Sequence, residues 1–155
     1  MSIYVEVSEV IERPVEEVFR IHATEHVHNH PRWDPNIQLE QITKGPFGKG
    51  TMIHRINSRS GVPVEGTMEV VTFEPDKSMG MIIKDGPVEI RAFAFYEAKG
   101  PDQTILTLKT EFFGLDESID KSAITNQMEG AIQIHKRFIE AQPVTSPGVN
   151  SEPEE

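Results

Sequence analysis

The sharpest candidates for chemistry in this chain are imidazoles. The 155 residues include six histidines and no cysteine, so disulfides, thiol nucleophiles and Cys-ligated zinc are all excluded. Two histidines are expected to point inward, and the arguments for them are independent. If the turn Ser58 to Val62 closes its hairpin symmetrically, Ile56 faces Val64, His54 faces Gly66 and Met52 faces Met68, with Arg55 and Glu65 turned to solvent. His135 falls in the apolar stripe of a long C-terminal helix, at about 100° per residue. Two imidazoles on one cavity could orient a ligand carbonyl or enol, or shuttle a proton near neutral pH. The alternative is a pair of core histidines satisfied by neighbouring groups.

A second cluster, His26, His28 and His30, has spacings of two and four residues. Those spacings could offer nitrogen ligands to a metal, with Glu25 or Asp34 completing the shell. Without a CxxC or HExxH pattern, exposed loop histidines are the better expectation. Trp33, in the same segment, is expected to be a packing residue. Glu89, Arg91, Lys109 and Glu111 would form an acid/base cluster if buried, but strand parity sends them outward as a solvated ladder. Glu9 is in phase with Val5, Val7 and Ile11, so it needs an internal partner such as His54 or water.

The elements that must hold these residues follow from periodicity. Residues 116 to 142 carry Ile124, Met128, Ala131, Ile132, Phe138 and Ile139 at helical spacing, with acidic residues early and Lys136 and Arg137 late. Such an amphipathic helix needs an apolar cover. Residues 3 to 11 alternate as a strand, Pro14 opens a short helix to about Ala23, and Pro31 and Pro35 point to an interrupted turn or loop over 24 to 36. From residue 37 onward turn signals recur at short intervals, predicting strands near 37 to 44, 50 to 58, 63 to 74, 79 to 84, 88 to 98 and 104 to 113.

Seven antiparallel strands would thus cover the helix, in an α+β architecture. The inward parity takes Val88, Ile90, Ala92 and Ala94 from one strand and Leu106, Leu108 and Phe112 from the next. Phe93 and Phe95 then face outward, where they could support a homodimer. The small residues Gly66, Gly80, Ala92 and Ala94 would leave unfilled volume for a ligand.

The formal charge of -10 repels phosphate backbones and anionic membranes, so nucleic acid is not an expected partner. With no leader and no apolar run of spanning length, neither membrane insertion nor secretion is expected, and the expectation is a cytoplasmic protein. The domain is expected over 1–142 and a disordered acidic, proline-rich tail over 143–155. No cofactor is expected.

The order strand, two short helices, six strands, long helix, with ERPVEEVFRI after the first strand, NHPRWDPNI entering the second and VVTFEPDKSMGM at the fourth turn, resembles the START-like or SRPBCC superfamily. The polyketide cyclase/dehydrase branch is the nearest in pattern. The resemblance implies a helix-grip fold, a seven-stranded antiparallel sheet curled around the C-terminal helix and enclosing an apolar cavity. It also implies binding of a lipid, polyketide or aromatic molecule, as a carrier or as a cyclase or dehydratase, and supplies no shared catalytic motif. The expected cavity set is His54, Met52, Met68, Ala92, Ala94, Met128, His135 and Trp33.

Overall fold

Seven segments of alternating apolar and polar residues form seven strands in the computed structural model, which describes residues 2–144. They are β1 Ser2–Ile11, β2 Ile37–Gln41, β3 Met52–Asn57, β4 Val64–Glu74, β5 Ser78–Asp85, β6 Val88–Ala98 and β7 Thr104–Phe113. All pair antiparallel in one sheet of order β1-β7-β6-β5-β4-β3-β2. The meander β2 to β7 needs only short turns, while β1 joins the far edge beside β7. The chain must therefore return across the sheet between β1 and β2. That return carries α1 Val15–Phe19, a π-helical segment Arg20–Thr24 and α2 His26–Trp33.

The sheet grips α3, Lys121–Ala141, as the helix-grip expectation required. The helix starts at Lys121 rather than at residue 116, because the Asp120 side chain caps it by accepting the Ala123 N–H at 2.9 Å. Ile124, Ile132 and Ile139 are its buried stripe. Each such side chain contributes about 1.5–3 kcal/mol on burial. In the return segment, α2 forms despite Pro31, which withholds one N–H without ending the helix. The interruption falls earlier, at the π segment. From residue 145 on, the expected tail lies outside the described residues.

Polar clamps tilt α3 toward β1. Lys136 Nζ donates to the Val10 carbonyl at 2.6 Å, and the Arg13 guanidinium donates to the Glu140 carbonyl. Glu9 does have an internal partner, the Gln133 amide on α3, rather than His54. With α3 held there, the inner faces of β5 and β6 are left farther from it.

The register of β3 corrects the symmetric hairpin. Ile53 pairs with Met68, His54 with Thr67, Arg55 with Gly66 and Asn57 with Val64, so the loop spans 58–63, one residue longer than expected. A slip of one residue turns every side chain of a strand to the other face. Ile53 and Arg55 are therefore buried, while His54 faces out and its Nε2 lies 3.0 Å from Glu65 Oε1. Met52 leaves the inner set with it. A bulge between Val70 and Thr72 brings Phe73 inward onto Phe19. Beyond it Met79 pairs with Ala94 and Met81 with Ala92, so these two methionines face inward while Phe93 and Phe95 face outward.

Two expected void-formers are occupied. Gly80 lies under the Phe93 ring on the outer face, and a Cβ on Gly66 would meet the Lys84 carbonyl oxygen at 2.0 Å and Asp85 Oδ1 at 2.6 Å. Glu89 and Arg91 pair on the outer face at 2.9 Å, with Arg91 opposite Glu111, as the ladder expectation had it. Because Gly66 admits no side chain, Gly66→Ala is expected to lower the unfolding free energy by about 2 kcal/mol or more, measured by urea denaturation; an unchanged midpoint would contradict the register.

Candidate ligand cavity

Between α3 and the inner faces of β5, β6 and β7 lies a cavity of about 820 Å³, within the range of small-molecule sites. Its apolar wall includes Met79, Met81, Ile83, Ala92, Ala94 and Met128. Ala92 and Ala94 are too short to reach α3. Gly130 on the helix has open space where a side chain would stand. The small residues at positions 92 and 94 thus do leave volume, and Met128 and His135 line it as well. Met68 is fully buried behind the wall and is not among the lining residues; Met52 and His54 are likewise absent from it.

The polar end of the cavity is built by residues that sequence reasoning did not bring together. His22, His26 and His30 recur at steps of four, and all three line the cavity with Trp33 and His135. The π segment matters here: the Glu25 N–H reaches the Arg20 carbonyl at 2.9 Å, an i to i+5 bond that widens the helix at His22. Asn29, buried, donates to the Ile21 carbonyl at 2.9 Å and ties α2 to that segment. The Trp33 indole then stacks on His22 at 5.4 Å and 7° and on His30 at 5.2 Å and 26°, and contacts His135 at 4.8 Å.

Two hydrogen-bond chains run through this cluster. His22 Nδ1 lies 2.7 Å from the Tyr96 hydroxyl and its Nε2 lies 3.1 Å from His135 Nδ1. His26 Nδ1 lies 3.0 Å from the His22 carbonyl and its Nε2 lies 3.0 Å from His30 Nδ1. The second chain has one polarity: a carbonyl only accepts, so His26 carries its proton on Nδ1, and His30 Nδ1–H donates to His26 Nε2. In the first, Tyr96 is buried and His22 is its one hydrogen-bond partner among the described residues. Its O–H must therefore donate to His22 Nδ1, and His22 Nε2–H donates in turn to His135 Nδ1. The rings left at the ends are His30, with Nε2 a free acceptor, and His135, with Nε2–H a free donor.

Burial keeps these rings uncharged. Desolvation is the largest cause in each case. It holds His135 down to about 3, with His26 adding to the effect, and His26 down to about 4 despite its backbone bond, with Arg55 nearby. His22 and His30 are lowered well below the ordinary imidazole range by the same cause, and the buried Tyr96 hydroxyl is raised well above its own. His135 keeps part of its surface open, and that surface faces the cavity.

The expectation of exposed loop histidines holds for His28 alone, because the segment is helical and its His26 and His30 turn inward to the cavity. His28 is exposed, its position in α2 turns it away from His26 and His30, and among the described residues no group of His, Asp and Glu has an arrangement that could hold a metal ion. Arg55 takes the place expected for His54. Its side chain enters from β3, its Nε donates to both Asp85 oxygens at 3.0 and 3.1 Å, and it lines the cavity. At the mouth Arg59 pairs with Asp34.

Comparison with solved structures places the chain in a known fold. A START superfamily protein from Mycobacterium smegmatis superposes with TM-score 0.70 at 10% identity over 88% of this chain and 94% of that one. Norcoclaurine synthase from Thalictrum flavum, solved with dopamine and hydroxybenzaldehyde, gives 0.67 at 16% identity over 93% and 90%. The di-domain ARO/CYC BexL from the BE-7585A biosynthetic pathway gives 0.64 at 17% identity over 88% of this chain and 45% of that one. No protein-family model and no curated protein sequence matches the chain. The architecture is thus the helix-grip fold of START superfamily proteins. Among the described residues no helix is long and apolar enough to cross a membrane.

The tautomers and the neutral state are directly measurable. At about pH 6, nitrogen-15 spectra of the rings should show His26 and His30 as neutral Nδ1–H forms and His22 and His135 as neutral Nε2–H forms; imidazolium signals from these four would contradict the chains. The unfolded chain protonates near 6.5 while the folded rings do not. For His26 and His135 the contribution to stability is therefore complete above that pH and lost as pH falls through about 4 and about 3. Denaturant titrations should show the unfolding free energy falling by about 1 kcal/mol per pH unit for each such ring below 6.5.

Proposed function

We propose that this protein binds a small, largely apolar molecule in the cavity between sheet and helix, oriented by a polar wall at one end. The observation that carries the reading is the cavity itself: about 820 Å³ of space bounded by methionine, isoleucine and alanine side chains, with hydrogen-bonding rings confined to one side. An apolar ligand gains by leaving water for such a wall, and a few fixed polar groups select among apolar ligands. His135 donates from Nε2 and His30 accepts at Nε2, so a ligand carrying a carbonyl and a hydroxyl can satisfy both. Norcoclaurine synthase shares this fold and was solved with two aromatic molecules, which supports a ligand of aromatic size.

The same rings weigh against a cyclase or dehydratase. General-base catalysis favours a group that titrates near the working pH, and rings held down to about 3 and about 4 are weak proton acceptors. Binding is therefore placed ahead of catalysis. Protein-dependent deuterium exchange at the enolisable carbon of an aromatic diketone, abolished by His30→Gln, would reverse that order.

The neutral fluorescent probe N-phenylnaphthylamine should bind with quenching of Trp33, the one tryptophan of the chain. Ala92→Phe, which fills the cavity, should weaken it by about tenfold or more with the fold intact by circular dichroism, and His135→Phe should weaken it less. Equal binding to wild type and Ala92→Phe would place the probe elsewhere.

A further inference from the structure

We infer that the apolar molecule this cavity accepts carries an oxyanion of carboxylate type, and that Arg55 is its anchor; this rests on the binding reading above and adds the ligand's charge.

Arg55 is 4% exposed, and a guanidinium cannot escape burial by losing its proton. Only its Nε is committed, to Asp85. Nη1 has nothing nearer than the weak acceptor Met68 Sδ at 4.0 Å, and Nη2 has no partner among the described residues. Neither Nη is a sealed, unpartnered atom: among the described residues those are Arg13 Nε and Glu17 Oε1. Since Arg55 lines the cavity, its unused edge opens there. That edge is the two-pronged donor that fits a carboxylate.

The distribution of charge points the same way. The chain has a formal charge of -10, yet the charged residues lining the cavity are three arginines, Arg55, Arg59 and Arg137, and one aspartate, Asp34. Arg137 is exposed, the Arg59 side chain is half-exposed and Arg55 is buried, so the cations run from the mouth inward. Asp85 does not line the cavity. It is held from behind by Arg55 and by Asn57 Nδ2 at 3.1 Å, and Gly66 leaves it the room. The histidines are neutral, so the arginines alone supply positive charge, and the donor on His135 adds to an anion's shell.

The test compares naphthoate with naphthalenemethanol, which differ in the anionic group on one apolar body, by calorimetric titration of the full chain. Wild type should bind naphthoate at least about tenfold more tightly. Arg55→Met alone would strand Asp85 as a lone buried carboxylate, so the second arm uses the paired variant Arg55→Met with Asp85→Leu. It should lose most of the preference for naphthoate while keeping its affinity for the alcohol within about twofold. Equal affinity of wild type for the two compounds overturns the anion anchor, and that arm needs no variant to fold. A paired variant that keeps the full preference also overturns the role of Arg55. Binding of neither compound to wild type overturns the cavity reading instead, which separates the two failures.

Discussion

The chain of hydrogen bonds from Tyr96 through His22 to His135 ties together the three parts of this molecule that packing alone would leave apart. Tyr96 stands on the sheet, His22 in the π segment of the return crossing, and His135 on the long helix. A buried hydroxyl and two buried rings that failed to meet would each cost about 1–3 kcal/mol, so the helix cannot slide along the sheet without breaking the chain. The clamps from Lys136, Arg13 and Gln133 hold the other side of the helix to β1. Between those two lines of contact the helix bridges β5 and β6 without filling the space beneath. The cavity follows from where the helix is pinned.

Polarity inside that space is economical. Each histidine donates once and accepts once within the cluster or toward the cavity, and none needs a charge. Burial enforces the neutral forms, and the neutral forms in turn fix the direction of both chains. Arg55, a buried and permanently charged cation, commits only its Nε to Asp85. A fold built only for stability would replace such a buried pair with apolar residues at little or no cost, which makes the pair informative about what the space is for.

Much of this was legible in the residue pattern. Strand alternation located all seven strands to within a few residues, and helical phase put His135 on the inner face of the long helix. His54 was misplaced because a hairpin register depends on counting loop residues, and one more residue between β3 and β4 exchanged His54 for Arg55. In a helix His26 and His30 share a face, but the prolines at 31 and 35 point to a loop there, so the step of four from His22 to His26 to His30 is not joined into one stripe. That step was the available signal. His22 continues the inward step of Val15, Val18 and Phe19, so its side was legible; its meeting with Tyr96 and His135 depends on tertiary contacts, including those of Asn29 and Trp33, that no local pattern encodes.

The central claim is that ligand occupies the space beneath α3. Labelling the methionine methyl groups with carbon-13 tests it most directly, because Met79, Met81 and Met128 line that space while Met52 belongs to the opposite face of β3. On titration with N-phenylnaphthylamine, the account predicts shifts of the Met79, Met81 and Met128 methyl signals together with contacts from those methyls to the probe, and little change at Met52. Saturable binding that moves Met52 and leaves those three unchanged would contradict it.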